Sequence, residues 1–259
     1  MADQTPPVPA LALFALDGKN VLITGATRGI GRASAIALAQ AGATLCIVSR
    51  SPEPAVLNDL PGSGHTHVVC DLGQLEAVKS LFDAALAKMG GQIHVLVNCA
   101  GIQRRAPSVD FAEQDWDDVI NTNLKTVWLL CQAAGRHMVP LRRGHIINFA
   151  SLLTFQGGLT VPAYASAKGA VGQLTKALSN EWSQHNVHVN AIAPGYIVTD
   201  MNERLLADPA RLRQISERIP AGRWGTPEDI AGPVVFLSSA ASQYVNGEIL
   251  VVDGGWMGR

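Results

Sequence analysis

Tyr164-Ala165-Ser166-Ala167-Lys168 places a phenol and an ammonium four residues apart on a helical pattern. Both side chains therefore share one helix face. A free tyrosine, with a pKa near ~10, is a poor proton carrier at neutral pH. An ammonium about 4 Å away, at an effective dielectric of about 20, favours phenolate by roughly 4 kcal/mol. That is about 3 pKa units, enough to let the pair exchange a proton with a substrate oxygen. Ser151 directly follows an apolar run at 145–150, where its hydroxyl can hold that oxygen beside Tyr164. Asn123, in Asn121-Thr122-Asn123, interrupts a long helical pattern. Asn is a mediocre helix former, so a polar role or a local kink is expected there.

A second chemistry lies near the start. The apolar run at 20–24 opens into Gly25-Ala26-Thr27-Arg28-Gly29-Ile30-Gly31, and a helical pattern follows. Backbone amides in a glycine-rich turn can approach a pyrophosphate, and the helix dipole favours its charge. The position after the second run, where an acid would bind an unmodified ribose, holds Ser49 and Arg50. With Arg28 in the turn itself, two guanidinium groups suit a 2′-phosphate, so NADP(H) is expected over NAD(H). Asp71, after the third run, suits either an adenine amino group or the cap of the next helix. Further on, Asn98-Cys99-Ala100-Gly101 ends the fourth run with small residues that let the chain pass close to a cofactor.

These groups need a scaffold that brings strand ends together. Short runs at 20–24, 44–49, 65–70, 94–98, 145–150, 187–192 and 248–252 are apolar on consecutive positions, as strands covered on both faces are. Helical patterns at 30–41, 74–89, 115–138, 163–185 and 227–238 fill the gaps. The last has a clear start: Thr226 to cap, Pro227 for the first turn, Glu228 and Asp229 at the positive end of the dipole. The alternation predicts one doubly wound α/β domain of the Rossmann type over residues 16–259, preceded by an arm at 1–15. The charged insertion at 202–225 has weak helical character. The segment 198–225 reads as a lid over the site, or else as a plain surface helix.

The 259 residues are 47% hydrophobic and 16% charged, with a net charge of −1. That balance gives no footprint for nucleic acid or for an anionic membrane. No apolar stretch is long enough to span a bilayer. Cys46, Cys70, Cys99 and Cys131 lie far apart, which argues against a metal site or a disulfide framework. No basic residue precedes the apolar stretch at 6–16, a poor secretory signal. A cytoplasmic protein is expected.

In the order Thr24-Gly25, Gly29-Ile30-Gly31, Asn98-x-Ala100-Gly101, Asn123, Ser151, Tyr164-x-x-x-Lys168 and Pro194-Gly195, the sequence resembles the short-chain dehydrogenase/reductase family, over nearly the whole chain from Leu16. The resemblance implies a seven-stranded parallel sheet with three helices on each face. It implies hydride transfer between a nicotinamide and a carbinol or ketone. Tyr164 would be the acid/base, Lys168 would lower its pKa and bind the nicotinamide ribose, Ser151 would orient the substrate oxygen, and Asn123 would support a water-linked proton relay. Cofactor contacts would come from Gly25, Thr27, Arg28, Gly29, Ile30 and Gly31, from Ser49, Arg50, Asp71 and Leu72, and from Asn98, Ala100 and Gly101. Pro194, Gly195, Ile197 and Thr199 would line the nicotinamide end. Cys99 departs from the family, which usually has Asn there. A homotetramer pairing the helices at 115–138 and 163–185 is implied, and small residues on the second (Ala163, Ala165, Ala167, Ala170, Gly172) would allow close approach.

Finer likeness lies in Ile102-Gln103-Arg104-Arg105, Phe155-Gln156-Gly157-Gly158 and Val252-Asp253-Gly254-Gly255-Trp256. It points to the sugar-acid branch of the family, the bacterial keto-deoxy-gluconate and gluconate 5-dehydrogenases, a group often described as NAD-linked. Arg104 is then expected to hold a substrate carboxylate, with Gln156 and Trp256 as walls of the pocket. Two other readings compete. A reductase of 3-oxoacyl thioesters would favour a basic docking patch, for which Arg142-Arg143 and Arg104-Arg105 are too little. A nucleotide-sensing binding protein would usually lack Tyr164 or Lys168.

Overall fold

A computed structural model describes residues 8–259. The seven apolar runs become seven strands: β1 Asn20–Thr24, β2 Thr44–Ser49, β3 Thr66–Val69, β4 Val95–Asn98, β5 Gly144–Phe149, β6 Val187–Pro194 and β7 Ile249–Val252. They form one sheet in the order β3-β2-β1-β4-β5-β6-β7, and every pairing is parallel. This is the expected doubly wound Rossmann-type sheet. The first half winds outward from β1 to β3, the second from β4 to β7, so a crevice opens where the winding reverses, at the carboxyl ends of β1 and β4.

The central strands are mostly apolar on consecutive positions because both of their faces are covered. Val21 and Ile23 pack with Ala35 and Leu38 of α1 (Gly29–Gln40) and with Ile230, Val234 and Leu237 of α8 (Glu228–Ser238). Leu22, Leu96 and Ile146 point the other way. They meet Leu81 and Phe82 of α2 (Leu75–Lys88), Leu130 and Met138 of α4 (Thr126–Leu141), and Val171 and Leu178 of α5 (Pro162–Trp182).

Three expectations are corrected. The face with α1 and α8 carries two long helices rather than three; the third place holds the 3-10 turn Ala55–Asp59, whose Val56 joins the core. Pro52, Pro54 and Pro61 leave no room there for a longer helix. The single helix expected at 115–138 is α3 (Glu113–Ile120), a π turn at Asn121–Lys125, then α4. Asn123 therefore marks a local distortion, as its type suggested. Thr226 makes no side-chain cap on α8; Asp229 reaches back instead, and its Oδ2 accepts the Thr226 N–H at 2.7 Å.

The insertion before α8 is more helical than its pattern predicts. It holds the short α6 (Glu203–Leu206) and α7 (Pro209–Arg218). Asp208 caps α7, its Oδ1 accepting from Ala210 and Arg211 N–H groups at 3.0 and 3.1 Å. Part of the expected N-terminal arm lies outside the described residues. The rest forms a 3-10 turn at Ala10–Phe14 and reaches the core at Leu16. Among the described residues no helix is long and apolar enough to cross a membrane.

Candidate active site

The carboxyl edge of the sheet borders a cleft of about 1830 Å³. At its floor the glycine turn packs backbone against backbone. Gly25 has φ +73°, and a Cβ there would stand 2.7 Å from the Ala100 Cα. Gly29 has φ +52°, and a Cβ on Gly31 would collide with the Gly25 carbonyl. The Thr24 hydroxyl accepts the Ala100 N–H at 3.2 Å, which ties the turn to the loop after β4. Thr27 and Ile30 line the cleft, and α1 starts at Gly29 with its first amides at the opening. The cradle has the form a pyrophosphate needs.

At the outer end Ser49 donates to the Ser51 carbonyl at 2.7 Å, and Arg50 lines the cleft with no acidic partner among the described residues. Arg28 departs from the expectation of a free guanidinium. It reaches across to Asp200 at 3.2 Å. Both side chains are largely exposed, so the pair is worth about 0–1 kcal/mol and yields readily to a stronger anion. Asp71 caps no helix directly; its Oδ1 accepts the Gly73 N–H at 3.0 Å, closing the turn before α2. Leu72 lies beside it, its carbonyl accepting from the Thr126 hydroxyl. Ile197 and Thr199 border the opposite wall with Pro194 and Gly195.

Ser151, Tyr164 and Lys168 meet at the end of β5. Ser151 stands within hydrogen-bonding reach of the phenol, which favours the phenolate, and so does the charge of Arg105. Enclosure wins over both and pushes Tyr164 up to about 12. Lys168 Nζ lies 5.6 Å from the centre of the Tyr164 ring and donates to the Phe149 carbonyl at 2.6 Å. Burial lowers Lys168 to about 8. In the open cleft, then, Tyr164 holds its proton firmly and Lys168 is poised to lose one. Cys99, also beside Lys168, is a thiol held neutral by burial, pushed up to about 12. Asn123 is fully buried, and its side-chain amide is spent on one backbone unit: Oδ1 accepts from Ile102 N–H at 2.9 Å, Nδ2 donates to Ile102 O at 2.8 Å. Each amide atom keeps one further valence, a lone pair on Oδ1 and an N–H on Nδ2. Asn98 is buried as well, and donates to Asn148 Oδ1 at 2.9 Å.

Arg104 lines the cleft but is paired there with two acids. Its Nε lies 3.2 Å from Asp115 and its terminal nitrogen 3.5 Å from Asp118, both on α3. Its neighbour Arg105 lines the same cleft with no acidic partner among the described residues. It feels the fields of Tyr164 and Tyr196, and of Arg204 and Arg211 from the insertion, and burial lowers its pKa. Gln156 and Trp256 do come together, Trp256 Nε1 donating to Gln156 Oε1 at 3.2 Å. Tyr196 packs on Trp256 with ring centres 4.7 Å apart, and Arg218 stacks 3.9 Å from the same indole. Arg204, Arg211 and Tyr196 are thus cleft residues that sequence reasoning did not assign to the site, whereas Arg105 follows Arg104 on the loop above the carboxyl edge. The acids at 115 and 118, one helical turn apart, were the available signal that Arg104 is spoken for.

A family model described as enoyl-(acyl carrier protein) reductase matches residues 25–257. The chain belongs to the short-chain dehydrogenase/reductase family. Within that family it is 48% identical over 254 residues to a 2-dehydro-3-deoxy-D-gluconate 5-dehydrogenase of Pseudoalteromonas atlantica, covering 96% of this chain and 100% of the relative. The Escherichia coli (strain K12) enzyme of the same name is 44% identical, covering 96% and 99%. Among solved short-chain dehydrogenase/reductase structures, a gluconate 5-dehydrogenase from Burkholderia cenocepacia in complex with NADP and tartrate superposes with a TM-score of 0.92 at 41% identity, covering 97% of this chain and 100% of that one.

Proposed function

We propose that this protein is an NADP(H)-dependent dehydrogenase that moves hydride between the nicotinamide and a secondary alcohol or ketone of a sugar acid, with a keto-deoxy-gluconate as the first substrate to test. The observation that carries the reading is the convergence of Ser151, Tyr164 and Lys168 with a guanidinium, Arg105, that has no acidic partner among the described residues. A ketone reductase needs the first three. A fourth group of positive charge beside them suits a carboxylate on the same small molecule. The names of the relatives support the same substrate class.

When bound, the cofactor supplies the hydride or accepts it. The chain's own groups do the rest. In the reducing direction Tyr164, protonated in the cleft, gives its proton to the ketone oxygen as the carbon receives hydride. Ser151 holds that oxygen toward the phenol. The phenolate left behind is favoured by the Ser151 hydrogen bond and the Arg105 charge, and by the Lys168 ammonium while it keeps its proton. Oxidation runs the same proton path backward. The unpaired Arg50 and the absence of an acid at the end of β2 support NADP(H), as does the cofactor named with the Burkholderia relative.

We further propose that residues 198–225 act as a lid bringing Arg204 and Arg211 over the substrate, and that the protein works in the cytoplasm as a homotetramer. Of the small residues on α5, Ala163, Ala167 and Gly172 are buried within the protomer, so Ala165 and Ala170 remain for a neighbouring subunit. Light scattering on the purified protein tests the assembly. The function is tested with sugar acids, neutral ketones and a 3-oxoacyl thioester, each with NADPH and with NADH, followed at the nicotinamide absorbance. Fastest turnover of a keto sugar acid with NADPH is expected. Preference for the thioester would put the acyl-reductase reading in its place.

A further inference from the structure

We infer that Thr154 is a positioning residue that fixes Ser151 against the helix carrying Tyr164 and Lys168, and that position 172 is glycine in order to admit it. The inference rests on the acid–base assignment proposed above.

Ser151 ends the strand side of the site and opens the 3-10 turn Leu152–Thr154. Its hydroxyl accepts the Leu153 N–H at 3.2 Å, which leaves its O–H free to donate toward the phenol or a substrate oxygen. Thr154 closes the same turn, and its hydroxyl does two things at once. It accepts the Ser151 N–H at 3.3 Å and donates to the Lys168 carbonyl at 2.9 Å. One oxygen thus joins the backbone of Ser151 to the backbone of Lys168, at the level of the reacting groups. A second tie, Asn148 Nδ2 to the Thr175 hydroxyl at 3.0 Å, lies about two helical turns further along α5. Lys168 Nζ also reaches the strand end at Phe149, but through a long side chain that the chemistry itself requires. Thr154 does not line the cleft, so it takes no part in the reaction directly.

Gly172 carries an independent mark of the same contact. It lies in the interior of α5, where glycine is a poor choice. In an α-helix the Lys168 carbonyl serves the N–H of residue 172, so its remaining lone pair faces outward beside that residue. A Cβ on Gly172 would stand 2.5 Å from the Thr154 methyl carbon and 3.1 Å from Ile249 Cδ1. The threonine reaches the carbonyl because residue 172 has no side chain. A shift of less than an ångström between Ser151 and Tyr164 is enough to slow the proton transfer that accompanies hydride transfer.

The test is the single-turnover rate of hydride transfer by stopped flow, with KM, NADPH affinity by fluorescence, and circular dichroism for folding. Thr154→Val keeps the shape and removes both bonds; a drop of roughly tenfold or more in the rate is expected, with KM and NADPH affinity within about twofold. Thr154→Ser restores the hydroxyl and should return the rate to within about threefold. Gly172→Ala favours the helix by propensity yet pushes Thr154 away, so the same loss of rate is expected in a folded protein. The double variant Thr154→Ser with Gly172→Ala removes the clashing methyl and should regain most of the rate. That pair decides the matter even if Thr154→Val does not fold. Folded Thr154→Val and Gly172→Ala proteins with unchanged rates, or a double variant no faster than Gly172→Ala alone, overturn the inference. Tyr164→Phe, run alongside, separates the two levels: if it keeps its turnover, the acid–base assignment itself has failed.

Discussion

Arg104 and Arg105 are adjacent in the chain and answer to different partners. Arg104 is held by Asp115 and Asp118 on α3, whereas Arg105 lines the cleft within the electrostatic reach of Tyr164 and Tyr196. Arg105→Ala is therefore expected to raise KM for a sugar acid by about 10- to 100-fold, the range for one lost charged hydrogen bond. A neutral ketone of similar size should be little affected. Arg104→Ala should leave both within about twofold. Steady-state kinetics on the two substrates with both variants checks this, and a reversed pattern would return the carboxylate to Arg104.

Tyr164→Phe removes the proton carrier and keeps the ring. Turnover is expected to fall at least ~100-fold, the low end of general acid–base contributions, with NADPH binding retained in a fluorescence titration. A variant near full activity would show that another group moves the proton.

Arg50→Asp should weaken NADPH by about 1.5–3 kcal/mol and spare NADH, because only the phosphorylated ribose loses a charged partner. Arg28→Ala should cost less, since Arg28 is already engaged by Asp200. Calorimetric titration with each cofactor separates the two. Tighter binding of NADH than NADPH by the unaltered protein would make Arg50 an ordinary surface charge.

Stability should fall with acid. At the amino end of the sheet His94 Nδ1 accepts the Asn20 N–H and His137 Nε2 the Ile93 N–H, while His145 stacks on His188 at 4.8 Å. Burial lowers all four, His145 to about 3. A histidine held neutral in the fold but free to protonate when unfolded binds more protons in the unfolded state. Stability is then complete above pH ~6.5 and declines below it, for His145 down to about pH 3. At pH 5 the His145 contribution alone is a loss of about 2 kcal/mol. Urea unfolding at pH 7.5 and pH 5 measures it, and His145→Phe should flatten the dependence.

Much of the fold was legible because the central strands are runs of mostly apolar residues, covered on both faces. Element ends moved by one to three residues, as β6 did in running on through Pro194 and α5 in stopping at Trp182. What the pattern concealed depends on tertiary partners. Nothing local tells that Asp229 rather than Thr226 supplies the side-chain bond at the start of α8, whereas the prolines at 52, 54 and 61 were a local signal against the third helix that the family resemblance implied. At the site, the spacing of Tyr164 and Lys168 placed both on one face, but no spacing reveals that the Lys168 ammonium is also bonded to the Phe149 carbonyl. The choice between Arg104 and Arg105 likewise depends on two acids from another helix.

β5 carries His145 near its start and runs to the edge where Ser151 stands. Six residues of extended chain separate the two, about 20 Å. Acid therefore acts at the histidine end by drawing the chain toward the unfolded state, where these imidazoles take up protons, and while the chain stays folded they remain neutral and far from the phenol. Loss of the native state in acid and change in catalytic rate with pH are then two separate curves, written at opposite ends of a single strand. A rate that falls in step with unfolding reports the first end, and a rate that changes while the protein stays folded reports the second.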